Sequence, residues 1–202
     1  MNETTNAPFL ENLRQATAQS HKDLEDLPLS ASIMNPDVSN SEYAAYLGLM
    51  HDVTADTEEN IFPLLEGIIP DLKQRAKAHC IDTDLRVLHI DNTATHSRPI
   101  TRNLKEISTG FALGIMYVVE GSSLGGRVIL KNITAALGYD ADNGASYFAG
   151  YGGQTGSYWK NFLSALSQYE TDNQCASEII KGANFTFDAI NAHFRSNAPQ
   201  AI

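Results

Sequence analysis

The stretch Gly110-Phe-Ala-Leu-Gly114-Ile-Met-Tyr117-Val-Val-Glu120-Gly121-Ser122-Ser123-Leu124-Gly125-Gly126-Arg127-Val128-Ile129-Leu130 decides the fold. It is too apolar for a loop, and the apolar pattern continues to about Leu137. Ser108 or Thr109 offers a helix start and Gly138 a helix stop. Yet the segment holds five glycines, each disfavoured by about 1 kcal/mol against alanine inside a helix. Helical spacing puts Gly110, Gly114, Tyr117, Gly121 and Gly125 on one face. A face stripped of side chains admits either a second helix packed closely or a ligand lying against the backbone. Spacing alone gives the two readings equal standing. The adjoining Gly125 and Gly126 mark a place where the helix bends readily. A phosphate loop is excluded, because there is no GxGxxG, no following Lys-Ser/Thr and no preceding strand.

Helical periodicity extends outward from this segment in both directions. Leu10, Leu13, Thr17, Leu24 and Leu27 share one face of a first helix, which Pro28 ends or bends. A loop is expected through Asn35-Pro36-Asp37. Ser39-Asn40-Ser41 caps a helix from Glu42 to about Phe62, with Tyr43, Tyr46, Leu47, Met50 and Val53 on its buried stripe. Pro70 predicts a short basic helix from Asp71 to about His79. Asp82-Thr83-Asp84 predicts the cap of another, running to about Thr95. Gly144 to Gly156 reads as a glycine-rich loop carrying Tyr147, Phe148 and Tyr151. Two last helices span about Ser157 to Tyr169 and Asn173 to Phe194. No strand alternation is visible. The pattern predicts one all-α, multi-helix bundle over residues 1–202, with flexible ends at 1–6 and 196–202.

Composition narrows the partners. Hydrophobic residues make up 43 % of the 202 positions, and the net charge is −10 with a pI near 4.9. An acidic surface disfavours nucleic acid and anionic membranes, and an anionic ligand needs a locally basic pocket. Cys80 and Cys175 form no CxxC pair and read as reduced thiols. Residues Met1 to Asn6 lack the features of a signal peptide. The near-apolar run Gly110 to Val119 is too short to span a bilayer. A cytoplasmic location is expected.

Of six histidines, His21 has the informative neighbours. Glu25 at i+4 can accept the Nδ1 proton and leave Nε2 as a ligand. Arg14 at i−7 lies on nearly the same line, about 10 Å along the axis. A cation so placed can meet the anionic edge of a large flat cofactor. On spacing alone, a solvated Arg/His/Glu stripe is the simpler reading.

Together the two segments resemble the haem oxygenase family. Leu13-Arg14-Gln15-Ala16-Thr17-Ala18-Gln19-Ser20-His21-Lys22-Asp23-Leu24-Glu25 is similar to the family's proximal helix. Tyr117 to Val128 is similar to the bacterial distal motif Y-x-x-E-G-S-x-L-G, closest to forms that accompany bacteriophytochromes or serve iron acquisition. Trp159 to Leu163 and the last helix have weaker counterparts. The resemblance implies that His21 ligates haem iron and that Glu25 orients it. It implies that Gly121 and Gly125 lie over the distal face and steer dioxygen toward a ring edge. Arg14 and Tyr117 fall where the family holds the propionates, with Thr17 on the same proximal helix and Lys160 as a looser candidate. Ser122 stands where animal enzymes carry an aspartate; bacterial relatives also have serine there and use ordered water. Glu120, one residue off, should point elsewhere.

The implied reaction cleaves haem, which is both substrate and cofactor, with dioxygen to a biliverdin, carbon monoxide and iron. The sequence has no flavin or dinucleotide fingerprint, so an external reductant is implied: a ferredoxin, flavodoxin or reductase. A biliverdin-using phytochrome is a candidate consumer. One rival is a haem carrier of the same fold. A second is a di-iron protein using Glu58, Glu59 and His51, although no paired E-x-x-H motif is present. A third, thiaminase-like, needs a nucleophilic cysteine.

Overall fold

A computed structural model describes residues 7–90 and 97–197. Eight α-helices are assigned there: α1 (Ala7–Glu25), α2 (Pro28–Ser32), α3 (Asn40–Asn60), α4 (Ala78–Val87), α5 (Thr109–Leu137), α6 (Ser146–Ala149), α7 (Thr155–Asn173) and α8 (Ala176–Asn197). No strand occurs among the described residues, in agreement with the all-α expectation. The central element is α5, packed most extensively on α8 and flanked by α3, α6 and α7. Ser108 caps its start by accepting from the Phe111 N–H, and Gly138 ends it in the left-handed region at φ 80°. It stays helical through Gly125-Gly126. By length and composition its 29 residues suffice to cross a membrane, a point that the shorter run 110–119 hides. In this fold α5 is the core helix, with Leu113, Ile115 and Met116 buried.

The glycines of α5 divide by task. A Cβ on Gly114 would stand 2.1 Å from the Ile179 carbonyl oxygen, and one on Gly182 of α8 would stand 2.1 Å from the Phe111 oxygen. The two helices therefore touch backbone to backbone, which only residues without side chains allow. Gly126 serves a second contact, since its Cβ would fall 2.7 Å from the Phe148 oxygen of α6. Gly110 is crowded at 3.0 Å by Glu178. Gly121 and Gly125 take no part in this packing.

The helix from Ser39 starts as expected, with a complete capping box between Ser39 and Glu42. Elsewhere the sequence expectation needs correction. Pro28 opens the short helix α2, and the expected loop through Asn35-Pro36-Asp37 comes only after that helix. The basic helix expected from Asp71 is a 3-10 turn, Leu72–Arg75. Asp82-Thr83-Asp84 lies inside α4 and does not cap a later helix. The Asp84 carboxylate instead accepts the Ser146 and Tyr147 N–H groups at 2.9 Å, fixing the start of α6. α8 runs through Asn197, past the expected end near Phe194. Residues 91–96, with Thr95 and His96, lie outside the described residues, as do 1–6 and 198–202.

Two buried carboxylates of α3 tie down other parts of the chain. Asp56 accepts the Ile100 and Thr101 N–H groups at 2.8 and 2.9 Å. Asp52 lies 3.2 Å from His193 Nε2 of α8 and accepts from the Ser97 hydroxyl. Burial holds the His193 imidazole below its ordinary value.

Two outcomes are expected. Gly114→Ala should lower stability by about 3 kcal/mol through overpacking, whereas Gly125→Ala, which meets open space, should raise it by about 1 kcal/mol; melting of the ligand-free protein checks both. The neutral His193 ring contributes stability fully above pH 6.5, and that contribution declines as pH falls below it, because the unfolded chain takes up the proton first. Melting temperatures between about pH 8 and about pH 5 should therefore fall less steeply in His193→Gln.

Candidate functional site

α1 and α5 both pack on α8 and run along it in the same sense. Gly110 and then Gly114 of α5 meet Glu178 and then Gly182 and Ala183. Ser20, His21 and Asp23 of α1 meet Asn184, Phe187 and Asn191 in turn. α1 and α5 touch at Thr17 and Tyr117. Burial pushes the Tyr117 phenol up, while its hydrogen bond to Thr17 and the charge of Arg14 act the other way. Thr17 is buried, and its hydroxyl donates to the Leu13 oxygen at 2.9 Å. One turn past this contact, in the same direction, stand His21 on α1 and Gly121 on α5.

The His21 side chain is 59 % exposed and its Nδ1 lies 3.4 Å from Glu25 Oε2. The ring packs edge-on against Phe187, with centroids 5.6 Å apart. A carboxylate at Nδ1 fixes the ring and leaves Nε2 available. On α5 a Cβ at Gly125 would meet nothing within 4 Å, and one at Gly121 would meet only the Trp159 ring edge at 3.5 Å. Leu124 and Val128 are 45 % and 58 % exposed. Apolar side chains so open on a core helix mark a ligand or partner surface. Tyr117 and Trp159 pack with ring centroids 5.5 Å apart and planes tilted by 43°, and Lys160 follows on the exposed side of α7. The Ser122 hydroxyl donates to the Val119 oxygen at 2.7 Å.

Arg14 has a partner that the sequence reading did not assign. Its Nη2 and Nε donate to Glu11 at 2.7 and 3.0 Å, with both groups largely exposed. The Arg14 hydrogen bond, aided by Gln15, holds the Glu11 carboxyl at about 2. An imidazole with a free nitrogen, two bare helix positions, an apolar stripe, and a cation and phenol at one edge fit a flat iron macrocycle with acidic substituents.

Beneath α5 lies a buried polar cluster. Glu120 is paired with Arg75, both nearly inaccessible. The Tyr151 hydroxyl lies 2.9 Å from each Glu120 carboxylate oxygen, and Lys77 Nζ lies 3.9 Å from Oε2. Arg75 also donates to the Tyr158 and Pro70 carbonyl oxygens. Burial pushes the Tyr151 phenol up and the Lys77 amine down. Glu120 thus points away from the open face, as its register requires. The sequence reading did not find Arg75, Lys77 or Tyr151. The available signal was a lone carboxylate in an apolar helix, which demands a buried partner.

The residues of the rival readings are scattered. Glu58 accepts the Lys77 and Ala78 N–H groups, Glu59 pairs with Arg98, and His51 lies 3.0 Å from Asp82. Among the described residues no cluster of three or more His, Cys, Asp or Glu could hold a metal ion. Burial pushes both the Cys80 and the Cys175 thiol up, which disfavours a nucleophilic thiolate.

An all-helical bundle with an exposed histidine on α1 and a bare stretch on the core helix α5, each one turn past the contact of those two helices, has the parts that a haem protein needs. A family profile described as "Heme oxygenase" matches residues 7–196. The chain belongs to the heme oxygenase family, whose members are enzymes of haem degradation. It is 28 % identical over 183 residues to heme oxygenase PigA of Pseudomonas aeruginosa, covering 88 % of this chain and 87 % of that one. Solved structures share the fold. Heme oxygenase from Neisseria meningitidis has a TM-score of 0.75 at 23 % identity, covering 96 % of this chain and 98 % of that one. The enzyme from Leptospira interrogans has a TM-score of 0.76 at 18 % identity, covering 93 % and 98 %. Heme oxygenase-1 from the cyanobacterium Synechocystis sp. PCC6803, solved in complex with heme, has a TM-score of 0.72 at 18 % identity, covering 93 % and 91 %.

Glu120→Gln should destabilise the ligand-free protein by about 3–5 kcal/mol, because it leaves the Arg75 guanidinium buried without its counter-charge. Denaturant unfolding measures the loss. A variant of unchanged midpoint would mean that Arg75 finds another partner.

Proposed function

We propose that the cleft between α1 and α5 binds haem with His21 as the iron ligand, and that dioxygen there cleaves the ring to a biliverdin, carbon monoxide and iron. The observation that carries this reading is the state of Gly121 and Gly125. Packing accounts for Gly110, Gly114 and Gly126, but leaves these two open, one turn beyond the contact that sets α5 beside the histidine helix.

Haem, when bound, supplies the iron that binds and activates dioxygen; the protein supplies placement. Glu25 holds Nδ1 and turns Nε2 of His21 outward. The bare backbone at Gly121 and Gly125 leaves room on the opposite side and limits where dioxygen can lie. Trp159 and Tyr117 wall one end. Arg14, Tyr117 and Lys160 offer charge and hydrogen bonds to the propionates, with Thr17 positioning the Tyr117 hydroxyl. Ser122 stands beside the open stretch and is the nearest hydroxyl of α5 to it in sequence. The electrons come from outside, through a small ferredoxin, flavodoxin or reductase, and a biliverdin-using phytochrome is the proposed consumer. The setting is cytoplasmic, without nucleic acid or membrane as a partner, and residues 1–202 act as one domain.

The absorption spectrum of protein mixed with haem, before and after reductant in air, tests the reading. The haem band should decay to a biliverdin spectrum in the unaltered protein; a stable band would instead indicate a carrier. In His21→Ala the haem spectrum should lose the signature of axial histidine and regain it with added imidazole. Gly121→Leu should keep the fold while conversion fails, since the larger side chain fills the open side. Normal conversion by that variant would move the reacting face elsewhere.

A further inference from the structure

No carboxylate of α5 faces the open stretch beside Gly121, so a proton needed there has no obvious source on that helix. We propose that Lys77 supplies it, through Tyr147 and Ser122. This inference rests on the haem-cleaving reading above. A narrow cavity of about 10 Å³ is lined by Thr54, Glu58, Lys77, Glu120, Ser122 and Tyr147, among others. That is room for one water with several polar partners. The Tyr147 phenol lines this cavity together with Ser122 and Thr54, near enough for their hydroxyls to act on its ionisation. Ser122 follows Gly121 directly, and on a helix it lies about 60° from Gly125. The Lys77 side chain, 12 % exposed, lines the same cavity.

The charges around Lys77 explain why its proton is available. Glu120 of α5 is already satisfied by Arg75 and by Tyr151 of the glycine-rich loop. At 3.9 Å it is too far from Lys77 for a hydrogen bond. Glu58 of α3 spends Oε1 on the N–H groups of Lys77 and Ala78. Cys80 of α4 acts on Lys77 from nearby and is a thiol whose ionisation burial suppresses. Nζ rests 4.0 Å from the centre of the Tyr151 ring and has no hydrogen-bonded acceptor among the described residues. A second cation, Arg75, stands nearby, and burial lowers the pKa of the amine. Burial raises that of the Tyr147 phenol, which therefore stays protonated and can pass a proton on. The transfer balances. Lys77 gives one proton to the cavity water, the water gives one to Tyr147, and Tyr147 gives one to Ser122. Ser122, turned from the Val119 oxygen, gives one to the open side. Solvent reprotonates the amine.

The test uses full-length protein loaded with haem. Lys77→Met should form product about a hundredfold more slowly near neutral pH, the range of general acid catalysis. It should also raise the pH midpoint of the acid–alkaline change in the haem absorption spectrum, because a nearby positive charge is lost. Lys77→Arg should keep that midpoint and remain slow, since a guanidinium keeps its proton. Tyr147→Phe should be as slow as Lys77→Met, and the double variant no slower. It gives the same information if Lys77→Met does not fold. Wild-type speed in Lys77→Met, an unmoved midpoint, full rescue by arginine or additive losses would each overturn the proposal. Absence of biliverdin from the unaltered protein would instead overturn the functional reading beneath it.

Discussion

The backbone contact between α5 and α8 at Gly114 and Gly182 is the constraint from which the rest of the architecture follows. Two helices that meet without side chains between them must approach more closely than ordinary packing allows. Each glycine's missing Cβ is occupied by the other helix's carbonyl, so neither position tolerates even alanine without movement. This pins the first third of α5. Further along, Tyr117 meets Thr17 of α1, which lies on the same α8. The proposed haem site is thus a by-product of two helices sharing one support.

A second constraint acts further along. Where α5 leaves α8, its inward side is secured by ions. Glu120 and Arg75 form a dry pair that ties the segment after Pro70, the glycine-rich loop and the start of α7 to the middle of α5. Breaking a buried pair is costly, although apolar residues of similar volume often serve as well in its place. Here the pair leaves the opposite side of α5 free, because no neighbouring helix is needed there to hold it. The bare stretch at Gly121 and Gly125 can stay open because the helix is secured from behind.

Much of this was legible in the sequence, for identifiable reasons. α5 and α3 were readable because Ser108, Gly138 and the Ser39–Glu42 box are local devices whose partners lie within four residues. The glycine face was readable as a face, but the sequence could not divide it, since packing at Gly114 and openness at Gly125 depend on what α8 and α7 bring near. The same limit hid Arg75, which local spacing assigns to an exposed basic helix and tertiary structure buries. Asp84 misled for a related reason: a carboxylate near a helix start resembles a cap, yet this one caps α6, some sixty residues further along. His21 and Glu25 were legible as a pair, while the meaning of the pair came from resemblance and not from spacing.

The Arg14–Glu11 pair changes how the edge of the cleft meets an acidic ligand. The guanidinium already holds a carboxylate through two hydrogen bonds, so an arriving carboxylate replaces one that is present. An exposed ion pair of this kind is worth little in either arrangement. In the proposed haem site, binding at this edge would therefore be an exchange of counter-ions: the free energy of capture would come from the apolar ring and the iron bond, and the arginine would select which way round the ring lies.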